Sequence, residues 1–438
     1  MIKKEVEKIL QYVQKPARYV GGELNSVIKD PDKVDIRYAF CFPDIYEIGM
    51  SHLGMKILYG LVNDRDDSWC ERVFAPDVDM EEQMRKNNVP LFALESGDYI
   101  KDFDIIGFTL MYELCYTNVL NMLELAGIPL YSKDRTELAP IICVGGPCAC
   151  NPEPIADFVD IVFLGDGEDS TNAVLDLLKE CKKKGATKQD FLLKAKDITG
   201  VYVPSFYKDS YNADGTLKEL VPINGAPEKV KKSVVSDMNK CYYPKEFVVP
   251  FISIVHDRAV EEIFRGCIRG CRFCQAGFIY RPIREKSVET INAQSKALID
   301  STGYDELSLC SLSTSDHSQV NEMLTSLIDW TVKDKISLSL PSLRVDNFPD
   351  ELVDKLNKVR KSGLTFAPEA GTQRLRDVIN KNVTQEEVIN TCTKAFDNGW
   401  TTVKLYFMMG LPTETMEDIE GIANLGMDVL HAFYNNPN

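Results

Sequence analysis

Cys267, Cys271 and Cys274 are the residues of this chain best placed to do chemistry. They stand in RGCIRGCRFCQAG (265–277), a C-x3-C-x2-C spacing that gathers three thiols into one short loop among Gly266, Gly270 and Gly277. Glycine lets a backbone curl tightly around a compact object. Three thiolates can each hold one iron of a 4Fe–4S cube. The fourth iron then has no protein ligand, and a small molecule can chelate it. A structural zinc site is the main alternative. It asks for four ligands, usually as two short Cys or His pairs. No such second pair stands nearby, although Cys310 or Cys241 could supply one more sulfur. Three merely structural thiols form the remaining reading, but buried cysteines favour regular core elements over glycine-rich loops.

A loop of this kind needs a scaffold. From Val260 onward, strand-like and helix-like segments alternate. Strands are expected at 260–266, 306–313, 336–345, 364–370 and 402–410. Helices are expected near 288–301, 318–333, 349–361, 384–398 and 415–432. This is a β/α barrel pattern, whose functional groups belong at the strand C-termini. The chain stops at Asn438 directly after a helix, so a partial barrel is expected, truncated before its last strand, with an open edge prone to aggregation.

A second alternation fills the first half. IRYAFCF (36–42), WCERVFAP (69–76), FDIIGFTL (103–110), IICVGG (141–146) and DIVFLGD (160–166) read as strands, and GMSHLGMKILYGLV (49–62) as a helix. Strands alternating with helices imply a parallel sheet covered on both faces. Ligands of such sheets sit at the strand C-termini. Those ends carry FPD (42–44), VGGP (144–147) and GDGED (165–169). Residues 200–250 change character: a β-hairpin with its turn at Asn212–Gly215, then a weakly periodic Lys- and Pro-containing stretch that reads as an interdomain connection. The expected organisation is a helical lead-in (1–35), a parallel-sheet domain (36–199), hairpin and linker (200–250), and the barrel domain (251–438).

Composition limits the function classes. At 438 residues the chain exceeds one ordinary core. No apolar run approaches the roughly 20 residues that span a bilayer. The N-terminus, MIKKEVEKILQYVQK, is a charged amphipathic helix without the apolar centre and cleavage site of a signal peptide, so a cytoplasmic location is expected. Thirteen cysteines in such a chain read as ligands, catalytic groups or core residues, not as a disulfide framework. A formal charge of −16 does not indicate nucleic-acid binding, which needs clustered cations, and KVKKS (229–233) reads as solvated linker.

RGCIRGCRFCQAGFIYRPIREKS (265–287), FAPEAGTQRLRDVINKNVT (366–384) and YFMMGLPTETMEDI (406–419) together resemble the radical S-adenosylmethionine superfamily. The likeness is to the branch with a cobalamin-binding-type domain ahead of the radical domain, and within it to an uncharacterised family with an RGC-x-RGCRFCQAG motif. It covers nearly the whole chain. The resemblance implies an α/β fold: a Rossmann-like domain of the flavodoxin or cobalamin-binding type, then a partial (β/α) barrel of the radical SAM type. It implies a 4Fe–4S cluster on the three cysteines. The open iron would bind the amino and carboxylate groups of S-adenosylmethionine (SAM). Reductive cleavage would then yield methionine and a 5′-deoxyadenosyl radical able to take hydrogen from an unactivated carbon.

The same resemblance nominates SAM-binding residues. Phe273 would pack beside adenine. Ser313, with Ser315 and Asp316, ends the second barrel strand where relatives hydrogen-bond the methionine amino group, although LSTSD departs from the usual Gly-Gly-Glu form. A plain helix N-cap would also explain Ser313. Glu369 would take the ribose hydroxyls and Arg374 the methionine carboxylate, unless the two form a surface ion pair. Gly410, Leu411 and Pro412 would bring backbone close to adenine, or make an ordinary turn with Thr413 or Thr415 capping the next helix. His256 and His317 receive no role.

In the first half, Asp44, Gly49, Gly145, Gly146, Gly165, Gly167 and Glu168 are the residues implied for cobalamin. The cobalt-coordinating Asp-x-His-x-x-Gly motif is not intact: Asp44-Ile45-Tyr46-Glu47-Ile48-Gly49 carries Tyr in the His position. His52 lies within the expected helix and reads as a core-edge residue. Any cobalamin would be held without a protein His on cobalt. Cys148 and Cys150 read as incidental thiols.

The implied activity is radical chemistry, with cobalamin-dependent methylation of an unactivated carbon favoured by the first domain. Methylthiotransferase-like modification of tRNA or protein would need a second cysteine triad, which Cys41, Cys115 and Cys143 do not convincingly form. A non-enzymatic iron–sulfur redox protein would need a fourth protein ligand. The expected partner is an external one-electron reductant of the flavodoxin or ferredoxin type. The substrate is not legible in the sequence.

Overall fold

The computed structural model describes residues 2–340 and 364–435. The chain forms two compact units: Met1–Val235 with Cys241–Asp257, and Ser236–Lys240 with Arg258–Asn438.

The first unit is built on β1 (Ile36–Phe42), β2 (Ser68–Phe74), β3 (Ile105–Thr109), β4 (Ile141–Gly145), β5 (Ile161–Phe163) and β6 (Val201–Tyr202). Their order in the sheet is β2-β1-β3-β4-β5-β6, with β1–β5 parallel and β6 antiparallel at the edge. Side chains alternate across a strand, so two cores form. Ala39, Cys41, Ile106, Phe108, Ile142 and Val144 face one layer. Tyr38, Phe40, Ile105, Ile141 and Cys143 face the other, with Val174 and Leu178 of the helix Gly167–Lys184. Each fully buried aliphatic side chain contributes roughly 1.5–3 kcal/mol. Burial on both faces explains why these strands read as continuous apolar runs. The strand order reverses between β1 and β3, and at such a switch point the C-terminal ends splay to leave a crevice.

Three local expectations are corrected. The helix expected over 49–62 begins at Leu53, after a separate turn at Tyr46–Gly49. His52 is its N-cap, and the ring Nδ1 accepts from the Met55 amide at 3.1 Å. Burial pushes His52 down to about 4, so it is neutral. The hairpin is confined to β7 (Tyr207–Tyr211) and β8 (Leu217–Pro222), because Val201–Tyr202 joins the main sheet. Most of the supposed linker packs within the first unit. The Gly200 amide donates to the Lys231 carbonyl at 2.9 Å, and Ser233 bridges Gly165.

The second unit contains β9 (Ala259–Glu262), β10 (Phe264–Arg265), β11 (Arg284–Glu285), β12 (Glu306–Cys310), β13 (Ser337–Ser339), β14 (Leu364–Glu369) and β15 (Val403–Phe407). β13-β12-β9 form one parallel sheet and β14-β15 a parallel pair. Helices Val288–Thr302, Val320–Thr331 and Gln385–Asp397 lie between these strands, and Met416–Tyr434 follows the last, as the spacing predicts. Ser287 caps the first, and capping boxes at Thr384–Glu387 and Thr415–Asp418 start the last two. The single strand expected at 260–266 is instead split into β9 and β10. The helix expected at 349–361, and the end of the strand expected at 336–345, lie outside the described residues.

Candidate functional site

The cysteine loop is pinched at its base. Phe264 pairs with Glu285 and Arg265 with Arg284 in the antiparallel β10–β11 ladder. Gly266 opens the loop at φ +110°, and a Cβ there would stand 2.8 Å from the Pro282 carbonyl oxygen and the Ile283 Cα. Only glycine fits that crossing. Cys267, Cys271 and Cys274 are half-buried on the loop, and none of the three is in a disulfide. Among the described residues, no three His, Cys, Asp or Glu side chains converge as a site for one metal ion does. Three thiols on one glycine-rich loop are the donor set that three irons of a cube would take.

Three further contacts place this loop at the strand C-termini. Arg269 grips Asp316 beyond β12, with Nε 3.2 Å from Oδ2. Asn380 donates to the Gly270 carbonyl at 2.7 Å, and the Arg272 amide donates to the Ile379 carbonyl at 2.9 Å. Phe273 packs against a small core of Ala370, Leu375, Ile379 and Leu411. The residue beside the third cysteine thus meets the loops that follow β14 and β15.

Ser313 ends the β12 connection and is buried, yet its Oγ has no hydrogen-bond partner among the described residues. It makes no capping bond, and the helix at Val320 is entered through Gln319. The helix-cap explanation therefore fails. A buried hydroxyl without a partner costs free energy unless something else satisfies it. His317 is structural, with Nε2 3.1 Å from the Lys286 carbonyl and Nδ1 accepting from the Gln319 amide.

Glu369 ends β14 at φ +69°, where the register of β14 against β15 shifts. A non-glycine residue held there is strained, and such strain concentrates at functional sites. Its carboxylate lies 3.5 Å from Lys381 Nζ, so the surface pair with Arg374 does not form. Arg374 is instead tied to Asp418 and to the Thr413 carbonyl at 3.0 Å. The Thr372 hydroxyl and that guanidinium hold the Asp418 carboxyl well below the usual range. Arg374 therefore clamps the segment after β14 onto the segment after β15, and its charge is already engaged. Gly371 serves the same junction: a Cβ would fall 2.2 Å from the Ile422 amide nitrogen. Gly410 is different. At φ +84° it faces open space, and its amide donates to Glu414 at 2.7 Å. Leu411 is buried and Pro412 exposed, while Thr415 and not Thr413 caps the following helix. Ser313, Glu369 and Gly410 thus differ from their neighbours: a buried hydroxyl with no partner among the described residues, a strained backbone and an open one.

In the first unit, Asp44 and Tyr112 lie at the β1/β3 switch point, where the phenol donates to the carboxylate. That contact pushes Tyr112 up to about 12. Gly145 leaves ordinary van der Waals room beside Phe163. The other nominated residues are occupied by the chain itself. A Cβ on Gly49 would collide with Phe74 at 2.3 Å, one on Gly146 with the Leu110 carbonyl at 2.8 Å, and one on Gly165 with the Ser233 carbonyl at 2.1 Å. Gly167 opens its helix against Leu58, and Glu168 is buried and accepts from the Cys241 thiol at 3.3 Å. Tyr46 is buried with its hydroxyl donating to Glu23 at 2.9 Å. Neither Tyr46 nor the capped His52 is offered to a metal. Asp44 and Tyr112 stand at the β1/β3 switch point, and Gly145 ends the neighbouring strand β4. Cys41 and Cys143 are inside the sheet, where burial pushes the first thiol far up and the second to about 12. They do not form a second cluster site with Cys115.

Several of these contacts have no sequence signal. Arg269–Asp316 joins residues 47 apart and Thr372–Asp418 residues 46 apart. Only Asn380 had a local cue, since an Asn after a helix often turns left-handed, and here φ is +53°.

Known proteins resemble this chain in sequence and in fold. The sequence model of the radical SAM superfamily matches residues 262–426, and that of the N-terminal region of radical SAM proteins matches residues 54–204. An uncharacterised protein of Methanocaldococcus jannaschii is 32% identical over 397 residues, covering 88% of this chain and 72% of the relative. A putative methylthiotransferase of the same organism is 26% identical over 166 residues, 36% of each chain. Among solved structures, the radical SAM methyltransferase TsrM from Kitasatospora setae, with cobalamin and a [4Fe–4S] cluster bound, superposes with a TM-score of 0.60 at 11% identity over 90% of this chain and 70% of that one. The cobalamin-dependent radical enzyme OxsB, with aqua-cobalamin and SAM bound, gives 0.58 at 16% identity over 89% and 51%. Among the described residues, no helix is long and apolar enough to cross a membrane.

Proposed function

From the premise that this chain belongs to the radical S-adenosylmethionine superfamily, we propose that it is an enzyme that cleaves SAM reductively and uses the resulting radical in a cobalamin-dependent methylation of an unactivated carbon. The observation that supports this reading best is the placement of Phe273. The residue next to the third cysteine packs on Ala370 and Leu411, so the thiol loop and the β14 and β15 ends share one mouth. When bound, the cluster supplies one electron that splits SAM into methionine and a 5′-deoxyadenosyl radical.

The chain's own residues divide the remaining work. Cys267, Cys271 and Cys274 hold the cluster at three corners. Ser313 Oγ accepts from the ligand's amino group, which satisfies a hydroxyl otherwise left unpaired. Glu369 presents its carboxylate to the ribose from a strained backbone that fixes its direction. Gly410 leaves space for the adenine, with Pro412 stiffening the turn. Arg374 is a positioning residue that holds the β15 loop through Asp418 and Thr413. In the first unit, Asp44, Tyr112 and Gly145 flank the crevice proposed for cobalamin. A cytoplasmic location belongs to the same proposal.

The test is anaerobic reconstitution with iron and sulfide, then reduction in the presence of SAM. Formation of 5′-deoxyadenosine supports the reading; a reduced, iron-loaded protein that leaves SAM intact refutes it. Methylthiotransferase activity is the second reading, motivated by the partial match to the Methanocaldococcus protein. The buried Cys41 and Cys143 weigh against it. The redox-protein reading needs a fourth protein ligand, and among the described residues no such ligand joins the three thiols in a metal-holding group.

A further inference from the structure

Lys56 takes no part in the site described above, and its surroundings do not suit a bare ammonium. It lies near the start of the helix Leu53–Asn63. The side chain is 9% exposed, and Nζ has no hydrogen-bond partner among the described residues. It stands 4.7 Å from the centroid of the Phe247 ring. A ring face returns only part of the cost of burying a charge, so buried ammonium groups are ordinarily paired.

The polar groups around Lys56, all within the first unit, do not pair with it. Arg72 lines the same cavity, but its guanidinium takes Glu95 at 2.6 Å and Glu23 at 2.8 Å, so those carboxylates are committed. Glu246 also lines the cavity and is exposed to solvent. His52 is the neutral cap of the helix, and the Tyr59 hydroxyl accepts from the Val27 amide at 2.8 Å. Asp257 is exposed and attracts the ammonium without a hydrogen bond to it. The cavity holds about 20 Å³, and its remaining walls are apolar: Met50, Met55, Phe247 and Val248. That is room for one water-sized body. A buried water needs two to four polar partners, and the ammonium is one. A single negative charge is satisfied by the ammonium itself. The thioether and ring walls are polarisable and suit a weakly hydrated monatomic anion. Sulfate and phosphate are too large and too strongly hydrated.

We propose that Lys56 and this cavity bind one halide-class anion, chloride, as the counter-ion of the buried ammonium. The bound anion would hold the segment 246–248 against the start of the helix, because both line the cavity.

The experiment melts the full chain in potassium chloride and in potassium gluconate at equal ionic strength, since gluconate cannot enter so small a space. At pH 7 and a chloride concentration about five times the dissociation constant, the midpoint is expected to rise by roughly 2–4 °C over gluconate. Burial lowers Lys56 to about 8, so at pH 10 the amine is about 1% protonated, chloride affinity falls about 100-fold and the shift disappears. Lys56→Met and Lys56→Gln should both abolish the shift at pH 7. Hydrogen exchange of the wild type should slow with chloride, and not with gluconate, in peptides covering 46–63 and 246–248. Equal midpoints in the two salts overturn the proposal. So does a chloride shift that survives in Lys56→Met or persists at pH 10, or protection that falls elsewhere in the chain. If the methionine variant does not fold, the glutamine variant and the pH comparison on the wild type decide the matter.

Discussion

Replacing Ser313 by alanine should push stability and ligand affinity in opposite directions. The Ser313 side chain is buried, and its Oγ has no partner among the described residues. An unsatisfied buried hydroxyl costs roughly 1–3 kcal/mol. Ser313→Ala removes that cost and leaves a void of only one oxygen. The ligand-free protein should therefore gain about 1 kcal/mol, a rise of roughly 2–4 °C in the melting temperature of a unit this size. If the hydroxyl exists to accept from a ligand ammonium, the bound state loses a hydrogen bond to a charged group. Such bonds are worth about 1.5–3 kcal/mol. The dissociation constant for SAM should then weaken by about 10- to 100-fold. Thermal melts of the ligand-free variant and equilibrium dialysis of SAM against the reconstituted variant measure the two effects. A variant that is less stable without ligand, or that binds SAM as the wild type does, would show that Ser313 is a packing residue and that its unpaired oxygen has no ligand to meet.

Other perturbations follow from the same structure. Lys56 Nζ is buried without a hydrogen-bond partner among the described residues, 4.7 Å from the Phe247 ring centroid, beside a cavity of about 20 Å³. Burial lowers it from 10.5 to about 8. Because the folded value is the lower one, the penalty on the ammonium is fully present below pH 8 and is relieved as pH rises toward 10.5. At about 1.36 kcal/mol per unit the penalty approaches roughly 3 kcal/mol. Lys56→Met should stabilise the first unit by up to that amount at pH 7 and by little at pH 10, and urea titrations at the two pH values that show no such difference would contradict the assignment. Gly371→Ala should cost about 3 kcal/mol, since its methyl group would meet backbone atoms of Gly421 and Ile422 that cannot step aside. Iron content should survive that change, whereas SAM binding should not. Glu369→Gly relieves a positive φ and should raise the melting temperature slightly, while SAM affinity falls; a gain in both would remove Glu369 from the site.

Much of the fold was legible because its signals are local. The apolar runs of the first half announced a sheet covered on both faces, and Thr415 was one of the two caps offered for the last helix. The thiol loop was legible through spacing and glycine content alone. What escaped depends on contacts between distant residues or on very short elements. The two-residue ladder β10–β11 has no period to detect, yet it closes the loop. The polar stretch 224–250 looked like linker because its attachment at Gly165 and Ser233 is made by backbone atoms. A surface pair of Glu369 with Arg374 stood as the alternative to their ligand roles, but the guanidinium is taken by Asp418. Family resemblance marked Gly49 and Gly165 as cradle residues, whereas each is required by a neighbouring side chain or carbonyl of the chain itself.

The central claim is an iron–sulfur cube with a vacant corner on Cys267, Cys271 and Cys274. Electron paramagnetic resonance of the reduced, reconstituted protein tests it directly. A signal from a reduced 4Fe–4S cluster that changes on adding SAM, and that vanishes when any one of the three cysteines is replaced by alanine, is the predicted result. A spectrum indifferent to SAM, or a cluster that survives loss of one of these thiols, would contradict the account.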